Sequence, residues 1–90
     1  MYAVPHTVAI TDRSAAEAAL DQIVAQVPGL PGFVNGYWMA RSADQGLAVI
    51  VFDSHDAAES FAEFLKASPD AGGVILDRDS IAVAEVLAHA

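Results

Sequence analysis

Few residues of this chain can do chemistry, and His6 heads them. An imidazole titrates near neutrality, so His6 is a candidate general base or hydrogen-bond donor in a pocket. Its neighbours Val4, Val8 and Ile10 equally suit a histidine held by one hydrogen bond inside a core or interface. Asn35, Tyr37 and Trp38 come next, with Phe52 as a further apolar ring. An amide in an apolar stretch must find partners, which makes Asn35 a candidate ligand contact. Tyr37, Trp38 and Phe52 either fill a core or dimer interface or line a cavity where a flat ring stacks. His55 near a helix start and His89 near the end are expected to be exposed.

Metal and cofactor chemistry find no support in the spacing. His6, His55 and His89 are not placed as ligands of one ion, and no acidic cluster completes a set. Asp77-Arg78-Asp79 is too short for a calcium loop. There is no Gly-x-Ser-x-Gly, phosphate loop or dinucleotide fingerprint. With no cysteine there is no disulfide, thiolate ligand or thiol nucleophile. The expectation is a protein with neither metal nor cofactor.

Charge narrows the partners. A net charge of −8, with Arg13, Arg41, Lys66 and Arg78 scattered, cannot track phosphates, so nucleic acid is excluded. An anionic membrane surface repels the chain for the same reason. The uncharged run from Ile23 to Ala40 approaches the length of a membrane span, but Pro28, Gly29, Pro31, Gly32 and Gly36 interrupt it. Met1 to Pro5 lacks the basic start and apolar run of a signal peptide, so the cytoplasm is the expected compartment.

The elements that must position these residues follow from periodicity. Tyr2 to Ile10 alternates as a strand. Ser14-Ala15-Ala16-Glu17 reads as a capping box for a first helix carrying Ala16, Leu20, Ile23 and Val27, stopped by Pro28-Gly29. A second strand runs from about Gly32 to Arg41, and a turn leads to a third from Leu47 to Phe52. Asp53-Ser54 caps a second helix buried through Ala57, Ala58, Phe61, Phe64 and Leu65. Val74 to Leu76 is a short extended piece, and Ile81 to Leu87 is expected to be the last strand.

This order predicts one α+β domain over residues 1–90, a ferredoxin-like β-α-β-β-α-β sandwich with both helices on one sheet face. The third strand is apolar on both faces, Leu47, Val49 and Val51 against Ala48, Ile50 and Phe52. Two helices cover only one face, so the other requires a partner. At 54% hydrophobic and 18% charged, so short a chain is expected to cover that face with a second copy.

Pro31-Gly32-Phe33 leading into the second strand, and Val51-Phe52-Asp53-Ser54 followed by Ala57, resemble the dimeric α/β-barrel superfamily in its antibiotic-biosynthesis-monooxygenase-like group. With strand order and length, the resemblance spans nearly the whole chain. It implies a homodimeric α/β barrel. The group includes cofactor-independent oxygenases of aromatic polyketides, haem-degrading enzymes and small proteins of unassigned role. The haem-degrading pattern has asparagine on the first strand, tryptophan in the second helix and histidine after it; here those places fall at His6, near Phe61 and on no histidine before His89. That branch is excluded. The oxygenase pattern puts asparagine and tryptophan beside a pocket, and Asn35 and Trp38 are the nearest matches. Their odd spacing puts them on opposite faces of a regular strand unless a bulge at Gly36 intervenes. An RNA-recognition sheet is excluded too, since Gly46 to Phe52 has no basic residue and one aromatic.

Two function classes remain. One is a non-catalytic small-molecule-binding or interaction dimer, taking a small apolar or aromatic ligand. The other is a cofactor-independent monooxygenase acting on a small aromatic, quinol- or polyketide-type substrate, with His6 as base. Because no catalytic pair is complete, the residues favour the first.

Overall fold

A computed structural model describes all residues 1–90. Strand β1 (Tyr2–Ile10) leads into helix α1 (Arg13–Gln26) and a 3-10 turn, Val27–Gly29. Strands β2 (Phe33–Ala40) and β3 (Gln45–Phe52) form a hairpin, and helix α2 (His55–Ala67) follows. Strand β4 (Val74–Asp77), a second 3-10 turn at Arg78–Ser80 and the two-residue β5 (Ala84–Glu85) end the ordered elements. The result is an α+β domain with one open antiparallel sheet in the order β2-β3-β1-β4, with β5 also on β1. That order, in which β3 separates β1 from β2 and β1 separates β3 from β4, is compatible with a ferredoxin-like fold.

The core lies between the sheet and the helices. Val4, Ala48, Ile50 and Phe52 point from the sheet towards Ala58, Phe61 and Ala62 of α2, with Val27 and Ile81 closing the cluster. Phe52 makes the largest contribution, packing against Phe61 at 5.3 Å and edge-on against Phe33 at 6.5 Å between ring centres. Only 12 of 90 residues are buried, which leaves the single chain with a small core.

The first helix starts earlier than a Ser14 cap predicts. Asp12 is the cap, its carboxylate accepting from Ala15 N at 3.1 Å. Glu17 is drawn instead to Arg13 at 3.0 Å, so it does not reach back to close a box on Ser14. Ser54 caps α2 through Ala57 N at 3.2 Å, and Asp56 stands in the first turn, where the helix dipole favours an acid.

The last strand also departs from expectation. The segment on the sheet is chiefly Val74–Asp77, paired with Thr7–Ile10, whereas of Ile81–Leu87 only Ala84–Glu85 pairs, with Tyr2–Ala3. The two pieces share one edge of β1, interrupted by the turn at Arg78–Ser80. That turn forms because the Asp77 carboxylate accepts from Asp79 N at 3.2 Å, bending the chain off the ladder. Ser80 repairs the gap. Its hydroxyl donates to Asp77 O at 2.6 Å and accepts from Thr7 N at 2.9 Å, replacing the missing backbone acceptor. Arg78 anchors the preceding loop, donating to Asp70 Oδ1 at 3.2 Å and to the Ser68 carbonyl.

Candidate functional site

The pleat divides the five candidate residues between two faces. The pairs Val4↔Ile50, His6↔Ala48 and Val8↔Gly46 point to the helices; the pairs Ala3↔Val51, Pro5↔Val49 and Thr7↔Leu47 point away. On β2 the register shifts between Phe33 and Asn35, upstream of the Gly36 bulge that would have joined Asn35 to Trp38. Asn35 therefore opposes Val51 and Tyr37 opposes Val49 on the open face, while Trp38 opposes Ala48 on the helix face. His6, Trp38 and Phe52 lie on one side of the sheet, and Asn35 and Tyr37 on the other. No single pocket holds all five.

His6 is buried on the helix face. Its Nδ1 lies 3.2 Å from Val4 O, and because a carbonyl only accepts, that bond requires the proton on Nδ1. Burial pushes the imidazole below its ordinary value, partly opposed by the bond to Val4. These are the surroundings of a neutral structural histidine. Trp38 lies in the same cross-strand row, on the far side of Ala48.

The open face is the larger feature. Leu47, Val49 and Val51 form its middle and are only half-buried. Tyr37 is 58% exposed, Met39 46% and Ile75 53%. Total accessible area is 5545 Å², against roughly 5,000 Å² for a folded monomer of 9.4 kDa. Polar groups on this face are few: the Asn35 amide, the Thr7 hydroxyl, the Tyr37 phenol and, at its border, Gln45 and Asp77. This is a surface able to press on an apolar body and offer it a few hydrogen bonds.

Two other places were not singled out in the sequence. A cavity of about 410 Å³ runs between Leu30-Pro31 and α2, floored by Phe52, Phe61 and Phe64. Phe52 and Phe61 belong to the core, whereas Phe64, which helical spacing placed in the buried stripe, is 63% exposed. At the start of α2, His55, Asp56 and Glu59 bring ligand-type atoms within 4.8 Å of one another. The i, i+4 spacing of His55 and Glu59 was the signal for it. Nδ1 of His55 lies 3.4 Å from Glu59 Oε2, and the Tyr2 ring meets the imidazole edge-on at 5.2 Å. All three groups are exposed, at the helix end whose dipole repels a cation.

Comparison with protein-family models, curated proteins and solved structures returns no match to this chain. No helix is long and apolar enough to cross a membrane.

Proposed function

We propose that this protein is a non-catalytic binding dimer: two copies meet through their open sheet faces and hold a small apolar or aromatic ligand between them. The observation that carries this reading is the face itself, a half-exposed apolar row of Leu47, Val49 and Val51 beside Tyr37 and Met39, with no helix over it. Leaving such a surface in water is costly, roughly 25 cal/mol per Å² of apolar area, and self-association removes it. The resemblance to the dimeric α/β-barrel superfamily, carried by Pro31-Gly32-Phe33 and Phe52-Asp53-Ser54, supports the same geometry. Asn35 and Tyr37 supply the hydrogen-bonding groups of the enclosed site.

Binding is preferred to cofactor-independent oxygenation because His6, the candidate base, is buried on the helix face, away from the open face that carries Asn35 and Tyr37. Light scattering after gel filtration at micromolar concentration is expected to return about twice the 9.4 kDa chain mass. Val49→Asp, which places a charge in the middle of the face, should return the monomer mass. A wild-type monomer would sink the proposal. For the ligand, amide and ring shifts of Asn35 and Tyr37 on adding a panel of small aromatics are the appropriate readout, since Trp38 lies on the other face.

A further inference from the structure

The open face is graded in size from one strand to the next. On β2 it presents the long side chains of Tyr37 and Met39. On β3 it presents the mid-sized Leu47, Val49 and Val51. On β1 it presents only Ala3, Pro5, Thr7 and Ala9, and beyond them Ile75 of β4 rises again opposite Ala9. The surface therefore carries a ridge along β2 and a trough along β1, parallel to each other and one strand apart.

We infer that the ridge of one copy fills the trough of another, with a twofold axis running along the strands near β3. This inference rests on the proposed self-association and specifies how the copies dock. A twofold axis set across the strands would lay each strand on its own equivalent, large side chains on large and alanine on alanine, leaving a clash and a void together. An axis along the strands carries β2 of each copy over β1 of the other, so that Tyr37 meets Pro5 and Met39 meets Thr7. Long side chains then enter the space that proline and threonine leave, while Asn35, carried over the partner's Ala3, leaves the ligand's space beside Tyr37.

Charge and area agree with a second copy as the occupant. The chain carries a net charge of −8, yet Tyr37, Met39, Leu47, Val49 and Val51 are all uncharged, and Asp77 stands only at the border. Two acidic molecules can approach this way without burying an unpaired charge. Three strands of eight or nine residues and the four-residue β4, at about 3.3 Å per residue and about 4.8 Å between strands, outline roughly 450 Å² in projection. Side-chain relief adds to this outline, which stands against roughly 800 Å² per partner in a standard-size interface.

The chain has no cysteine, so introduced thiols report their own positions. Met39→Cys and Thr7→Cys are small changes at partly exposed sites. One variant is prepared with 15N, the two are mixed until subunits exchange, and a short bis-maleimide suited to the roughly 10 Å between packed sheets is added. Mass spectrometry should show the mixed Met39→Cys to Thr7→Cys product exceeding either like-with-like product several-fold. If wild-type protein is dimeric but like-with-like products predominate, ridge-in-trough docking is overturned and self-association stands. If wild-type protein is monomeric by light scattering, both fall.

Discussion

The indole of Trp38 lies over Gly36: a Cβ built on that glycine would stand 3.0 Å from the ring and 3.2 Å from Ile50 Cδ1. Glycine weakens a strand, but here its missing side chain is replaced by a neighbouring aromatic ring that seals the end of the core. Gly36→Val should drive the indole outward. Stability should fall by about 1–3 kcal/mol, the usual cost of overpacking, and Trp38 emission should shift to the red. An unchanged emission maximum would mean that the ring does not depend on Gly36.

Buried His6 ties stability to pH. Its folded-state pKa lies below the unfolded value of about 6.5, so at acid pH the unfolded chain binds the proton more readily. The stabilisation is full above the unfolded pKa, is lost as pH falls from there towards the lowered folded value, and then levels off. Urea unfolding at pH 7.5 and at steps down to pH 5 should reveal that slope. His6→Gln, which cannot titrate in this range, should flatten it. A slope equal in both proteins would assign the acid sensitivity to other groups.

Asp12 and Ser14 offer a direct contest over where α1 begins. Asp12→Ala removes the bond to Ala15 N and should cost about 1 kcal/mol, whereas Ser14→Ala should leave the unfolding midpoint close to wild type. The reverse order would restore the Ser14 cap.

Ser80 is the bridge across the broken edge of β1. Ser80→Ala strips Thr7 N of its acceptor, at an expected cost of about 1–3 kcal/mol for a partly buried amide left unpaired. Hydrogen exchange should accelerate selectively at Thr7. Equal acceleration along β1 would instead report loosening of the whole strand.

Gly73 has φ +81°, and a Cβ there would stand 2.5 Å from Asp12 O and 2.7 Å from Ala16 N. Both neighbours are backbone at the start of α1, so neither can swing aside. Gly73→Ala should lose about 1–3 kcal/mol from the left-handed conformation alone, with the clash adding to it. Gly72→Ala, with open space around its Cβ site, is the control and should stay near wild type.

Local rules, acting over a few residues, made much of this protein legible in its sequence. Alternation from Tyr2 to Ile10 and a continuous apolar run from Leu47 to Phe52 marked two strands, and Pro28-Gly29 marked the end of the first helix. The two apolar faces of the Leu47–Phe52 segment announced a sheet that two helices cannot cover. What sequence left open were choices between competing partners. Glu17 had Arg13 four residues away as well as a possible cap, and side-chain geometry decided for Arg13. Alternation marks Ile81–Leu87 as the last strand and Val74–Leu76 only as a short extended piece, yet the outer edge of β1 is taken chiefly by Val74–Asp77. Facing was the largest such choice. A strand alternates whichever way it is turned, so sequence alone could not assign His6 to the core or to the open face. Pairing of His6 with Ala48, and the register shift between Phe33 and Asn35, settled it, because each strand takes its facing from the neighbour to which it is hydrogen-bonded.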